Sequence, residues 1–204
     1  MSRGIIAVFG GARSGKSSFA QELAEQLGKS TIYIATAQNK DEEMAERIAK
    51  HQATRPETWE TVEATHNLAQ AIRSCAEQAE VILVDCVSVY LSNLLLKSFG
   101  DLGTDDDPQL PPNLESEILA EMIEVIEVAQ DTKATVIFVS NEVGLGIVPL
   151  YHSARLYRDV AGRTNQLIAK AAKRAFYVLA GMPLDLKSLA VSIVDVCEEW
   201  DHDS

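Results

Sequence analysis

Gly10-Gly11-Ala12-Arg13-Ser14-Gly15-Lys16-Ser17-Ser18, GGARSGKSS in one-letter code, follows the apolar run from Ile5 to Phe9 and opens a helical stretch from Lys16 to about Leu27. Gly10, four intervening residues, and then Gly15, Lys16 and Ser17 reproduce G-x-x-x-x-G-K-[ST], the Walker A pattern, in the strand–loop–helix context that the pattern requires. Glycines let the chain wrap an anion so that successive N–H groups point inward. The helix that follows adds its positive end. Lys16 can then reach the outer phosphates, and the Ser17 hydroxyl can ligate Mg²⁺. The loop residues Gly10, Gly11, Ala12, Arg13, Ser14, Gly15, Lys16 and Ser17 are therefore the candidate triphosphate site, with Arg13 either adding charge or simply standing exposed.

Outward from the loop, apolar runs alternate with helical patterns. TIYIA (31–35), VILVD (81–85), ATVIFVS (134–140) and AFYVLAG (175–181) read as strands, rich in β-branched and aromatic residues. Helices are expected over 41–52, whose first turn is acidic, and near 67–79, 114–130 and 155–173. Strands without polar alternation, separated by helices, predict a mostly parallel sheet covered on both faces, a three-layer α/β nucleotide-binding fold. The whole chain, 1–204, reads as one such domain, with 188–204 an extension that suits either an amphipathic helix or an extra strand. GDLGTDDDPQLPPN (100–113) reads as a solvated loop. The metal of such a site needs a second acid at the end of a neighbouring strand, and Asp85 closes VILVD. The bland alternative for Asp85 is a strand-end cap.

Composition narrows the partners. A length of 204 residues with 47% hydrophobic residues supports a substantial core. A net charge of −12 argues against nucleic acid and against anionic lipid, so a phosphorylated ligand must be held by local donors. No stretch approaches the roughly 20 apolar residues of a membrane span. Cys75, Cys86 and Cys197 are odd in number and widely spaced, which suits a reducing, cytoplasmic setting better than a disulfide framework or a zinc ribbon.

The NKDE run at 39–42 departs from the guanine-reading NKxD pattern at Glu42 and follows the second strand too early for that role. Three longer stretches say more: YIATAQNKDEEMAERIAKHQATRP (33–56), VSNEVGLGIVP (139–149) and RLYRDVAGRTNQ (155–166). Together with GGARSGKSS and VILVDCVSVYLSNLL, and in the same order from about residue 5 to 187, they resemble the bifunctional adenosylcobinamide kinase / adenosylcobinamide-phosphate guanylyltransferase family of cobalamin biosynthesis.

The resemblance implies two reactions. Adenosylcobinamide is phosphorylated with ATP or GTP, and GMP is then transferred from GTP onto that phosphate through a GMP–histidine intermediate. It places the histidine before an R-P dipeptide, which here selects His51, with Lys50 where some relatives carry a second histidine. Periodicity alone puts Met44, Ile48 and His51 on one helical face, where a histidine is more often a buried core residue. The chemistry supports the catalytic role, because a neutral imidazole is a good nucleophile near pH 7 and a covalent intermediate splits one displacement into two. The resemblance also implies nucleotide contacts at Thr36, Ala37 and Gln38, around Arg55, and at the acid Glu63, for which a plain surface carboxylate is the alternative. It implies a homo-oligomer, typically a trimer. His66, His152 and His202 read as surface, capping or solvated residues. Asn141, Glu142 and the arginines Arg155, Arg158 and Arg163, with Asp159, suit substrate or interface contacts and equally a salt-bridged helix face. Two other readings remain open from sequence: a P-loop kinase of another metabolite, and a nucleotide-dependent switch without turnover.

Overall fold

The structure, a computed structural model, describes residues 3–28, 30–37, 55–99, 110–194 and 197. The strands β1 (Gly4–Gly10), β2 (Thr31–Ala35), β3 (Glu60–Glu63), β4 (Val81–Asp85), β5 (Thr135–Asn141), β6 (Arg174–Leu179) and β7 (Met182–Asp185) form one sheet in the order β3-β2-β4-β5-β1-β6-β7. Every pairing is parallel except β6 with β7. The helices are α1 (Lys16–Leu27), α2 (Leu68–Cys75), α3 (Val87–Phe99), α4 (Leu114–Asp131), α5 (His152–Ala171) and the single turn α6 (Leu186–Leu189).

Both faces of the central strands are apolar, so both are covered. Val8, Tyr33, Val81, Leu83, Ile137, Val139 and Val178 pack on one face against Ala20 and Ala24 of α1. Their neighbours in the strands, among them Ala7, Ile34, Ile82, Val84, Val136 and Phe138, turn to the other face and meet α2, α3, α4 and α5. This is the three-layer arrangement that the uninterrupted strands lead one to expect. Among the described residues no helix is long and apolar enough to cross a membrane.

Four elements depart from the sequence reading. The strand over 175–181 ends at Leu179, because Ala180 (φ 51°) and Gly181 (φ 82°) both adopt left-handed conformations and reverse the chain into β7. Two consecutive positive φ values are what a tight two-residue hairpin requires. β7 is an exposed antiparallel edge, where Pro183 does no harm to a ladder. β3 forms the opposite edge from the mostly exposed ETVE. α3 emerges from a stretch whose polar residues, Ser88, Ser92, Asn93, Lys97 and Ser98, gather on no single face that would reveal its period. The extension at 188–194 is exposed; after the single turn α6 the backbone turns helical again at Ile193 and Val194, and Cys197 is helical too, so helix is the expectation that the described residues favour over an extra strand. The helix expected over 41–52 and most of the loop at 100–113 lie outside the described residues.

Candidate active site

Parallel pairing brings the C-terminal ends of β1, β2, β4 and β5 to one edge of the sheet, where open α/β sheets bind ligands. The loop from Gly10 to Gly15 leaves β1 at this edge and enters α1. It turns through Arg13 (φ 58°) and Gly15 (φ 95°), and α1 begins with no side chain capping its first turn. The amides of that turn are therefore left for an anion. The loop is braced from two sides. Glu142 N donates to Gly10 O at 3.0 Å, and Gly181 N, in the β6–β7 turn, donates to Ser14 O at 2.8 Å. Lys16 is buried, and its ammonium donates to Gly11 O at 3.2 Å, back across the loop. Gly11, Ser14 and Ser17 are half-buried, and Ala12 and Arg13 are exposed.

Asp85 closes β4 beside Ala35 of β2 and Val139 of β5. One of its carboxylate oxygens, Oδ2, accepts from the Tyr33 hydroxyl at 3.1 Å. Burial, and next the Asp85 charge, push the Tyr33 phenol well above its ordinary range, so it stays a donor. Burial and the same aspartate push the Cys86 thiol up to about 11, while the nearby Lys16 charge pulls it slightly back. Ser17, in the first turn of α1, and Asp85 offer a hydroxyl and a carboxylate, the hard oxygen donors that Mg²⁺ prefers.

Thr36 is fully buried just past β2. Its hydroxyl donates to Cys86 O at 2.8 Å and accepts from Cys86 N at 3.0 Å. The side chain therefore ties the end of β2 to the end of β4. Ala37 is half-buried beside it. Arg55 lays its guanidinium on the Tyr33 ring, 3.3 Å from the centroid, and donates to the Thr61 hydroxyl at 3.3 Å. Its buried Nε–H has no partner among the described residues, which leaves a donor for an anion. Glu63 is exposed at the end of β3, in register with Ala35. Gln38 and His51 lie outside the described residues.

Most of the remaining candidates engage neighbouring groups of the chain. Glu142 turns back on Gly144 N at 2.5 Å. Arg155 donates to Pro149 O at 3.1 Å and also to Leu150 O, Arg163 pairs with Glu115 of α4, and Arg158 lies 3.6 Å from Asp159. His66 meets Thr65 Oγ1 at 3.1 Å, and His152 is the exposed first residue of α5. His202 lies outside the described residues.

Two buried polar residues escape a pattern-based reading. Asn93, deep in α3, donates from Nδ2 to Thr36 O at 2.8 Å and to Thr65 O at 3.2 Å, joining the chain past β2 to the chain past β3. Ser88 Oγ accepts from Asn141 N at 2.6 Å, and the Tyr157 hydroxyl donates to Ser88 O at 3.1 Å. The one available signal is a polar side chain within an apolar run, which a folded chain must satisfy.

The model of the cobinamide kinase / cobinamide phosphate guanyltransferase family matches residues 6–186. The chain is 44% identical over 180 residues to the bifunctional adenosylcobalamin biosynthesis protein CobP of Pseudomonas aeruginosa, covering 88% of this chain and 95% of that protein. It is 43% identical over 186 residues to the bifunctional adenosylcobalamin biosynthesis protein CobU of Escherichia coli, covering 90% of this chain and 99% of that protein. Among solved structures it is similar to an ATPase of a type III secretion system, with a TM-score of 0.54 at 11% identity over 94% of this chain and 59% of the other. The assembled ATPase EscN of an enteropathogenic E. coli gives a TM-score of 0.55 at 10% identity over 95% of this chain and 50% of the other. At such identities the two ATPases speak for the fold alone.

Proposed function

The chain belongs to the cobinamide kinase / cobinamide phosphate guanyltransferase family, and from that premise we propose how its residues divide the work. It is a transferase of cobalamin biosynthesis that phosphorylates adenosylcobinamide and then joins GMP from GTP to the new phosphate. The observation that carries the reading is the extent of the family match, which takes in the phosphate loop, Asp85 and the segment holding His51 together.

The loop amides and the ammonium of Lys16 hold the triphosphate. Because Lys16 rests on Gly11 O, binding exchanges that contact for phosphate oxygens at little cost in chain ordering. Ser17 and Asp85 would hold Mg²⁺, which when bound neutralises charge on the outer phosphates. Arg55 turns its guanidinium toward phosphate or ribose, with Thr36 and Ala37 setting the backbone beside it. Gln38 and Glu63 complete the nucleotide contacts, the Glu63 carboxylate accepting from guanine N–H groups.

In the guanylyl step a nitrogen of His51 attacks the α-phosphorus of GTP. The bond to the bridging oxygen breaks, pyrophosphate departs, and the imidazole proton passes to solvent. An oxygen of adenosylcobinamide phosphate then attacks the same phosphorus, and the P–N bond breaks to return the histidine. Loop donors stabilise the charge that develops on the leaving pyrophosphate. The chain is expected to act as a homo-oligomer, a trimer by its resemblance, in the cytoplasm.

Incubation with GTP labelled at the α-phosphorus tests the reading. Label should stay with the denatured protein, be released by acid as a phosphoramidate is, and vanish in His51→Ala. His51→Ala should still phosphorylate adenosylcobinamide. Label retained in His51→Ala would move the covalent step to another residue, and no label in the native protein would leave the monofunctional kinase.

A further inference from the structure

Tyr33 pairs in register with Leu83, and Asp85 lies two residues further along β4. Alternation returns Asp85 to the face that carries Tyr33, Leu83 and α1, making the two residues diagonal neighbours. A phenylalanine at position 33 would fill the same volume in this layer, and a buried hydroxyl costs free energy unless it is bonded. The hydroxyl is bonded, and its acceptor is the carboxylate at the edge where the phosphate loop sits. The torsion that sets the plane of an aspartate carboxylate is broad and two-fold, so without a tether the plane wanders. The other side of the phenol is engaged too, because Arg55 stacks on its ring.

Resting on the reading of Asp85 as the acid that meets the divalent cation, we propose that Tyr33 is a positioning residue: its hydroxyl claims Oδ2 of Asp85 and fixes the carboxylate plane, so that the other oxygen faces the metal in one orientation. The same ring gives Arg55 its platform. One side chain thus keeps an acid of β4 and a base from the approach to β3 in a constant relation. Hydrogen-bond partners of metal ligands act in this way generally, and their loss weakens metal binding by about 10- to 100-fold.

The test is the binding of a fluorescent, non-hydrolysable GTP analogue in EDTA and across a Mg²⁺ titration, read at equilibrium without turnover. Tyr33→Phe keeps the ring and removes one oxygen. It should leave affinity in EDTA unchanged and raise the Mg²⁺ concentration for half-maximal enhancement about tenfold. Asp85→Asn should do the same or more, and the double variant should match Asp85→Asn alone, because a tether to a missing carboxylate has nothing left to lose. Tyr33→Leu should in addition weaken binding in EDTA, since Arg55 loses its platform. A melt without nucleotide confirms that each variant is folded. Tyr33→Phe with the native Mg²⁺ dependence, beside an impaired Asp85→Asn, overturns the proposal and leaves Asp85 in place. Tyr33→Phe equally weakened in EDTA also overturns it, by making the hydroxyl merely structural. Asp85→Asn with native Mg²⁺ dependence overturns the assignment of Asp85 itself.

Discussion

Replacing the loop glycines one at a time by alanine separates what the backbone demands from what the motif merely contains. A Cβ on Gly10 would stand 2.6 Å from Val178 O and 2.6 Å from Ser14 Oγ. The serine can rotate, but the carbonyl belongs to β6, which pairs with β1 at this very register, so relief requires the two strands to part. Gly15 has φ 95°, and its Cβ would come within 3.3 Å of Gly181 Cα in the hairpin turn that braces the loop. Gly11 meets nothing within 4 Å and needs no left-handed conformation. Overpacking against a rigid neighbour costs about 1–3 kcal/mol, at the upper end where the neighbour is backbone. An unfavourable positive φ costs a similar ~1–3 kcal/mol. Gly10→Ala should therefore lose about 3 kcal/mol and Gly15→Ala about 2 kcal/mol, whereas Gly11→Ala should stay within about 0.5 kcal/mol of the native chain. At roughly 2–4 °C per kcal/mol for a chain of this size, melting temperatures should fall by about 6–12 °C, 4–8 °C and hardly at all. Urea and thermal unfolding without nucleotide give the series directly. A Gly11→Ala protein as destabilised as Gly10→Ala, or a Gly10→Ala protein of native stability, would refute the packing account of this loop.

Two further outcomes follow from the same edge of the sheet. Asn93→Ala strands the carbonyls of Thr36 and Thr65, and should cost about 2–4 kcal/mol at one to two unsatisfied buried acceptors, measured by urea unfolding; a change under about 0.5 kcal/mol would mean that water replaces the amide. The Cys86 thiol, pushed up to about 11, should be about one part in a thousand thiolate at pH 8, so iodoacetamide should modify the exposed Cys197 first and the half-buried Cys86 about tenfold faster per pH unit up to pH 11; equal rates at pH 8 would contradict the upward shift of that thiol.

What was legible in the sequence is what backbone geometry forces into residue identity. The loop could be read because wrapping an anion leaves few choices but glycine, and because Lys16 and Ser17 follow at fixed offsets. Asp85 could be placed from the sequence because it closes an apolar strand at the edge where ligands bind, a position that suits a metal ligand and a strand-end cap alike. Tyr33 could not, since an aromatic residue in TIYIA is already explained as a strand former, and only the pairing register brings Asp85 diagonally before its hydroxyl. Asn93 was hidden for the opposite reason: the helix around it has no period to depart from. The hairpin after β6 escaped because Ala180 gives no hint of its positive φ, although Gly181 does. His51 rests on the resemblance and on the family match, its segment lying outside the described residues.

The bonds at the C-terminal edge explain why loops there can carry chemistry without being loose. Each loop is fastened to its neighbour by hydrogen bonds. Thr36 holds Cys86 in both directions, Asn93 holds the chain past β2 to that past β3, Ser88 holds the end of β5, and Ser14 O is taken by the turn after β6. Loops strung between rigid parallel strands and laced in this way keep their donors aimed before any ligand arrives, so the ordering cost is met in folding and not in binding. A brace that touches no substrate should then be felt as lost affinity when it is removed. The polar residues of this edge are consequently better understood as a support for the few groups that meet phosphate than as additional contacts to it.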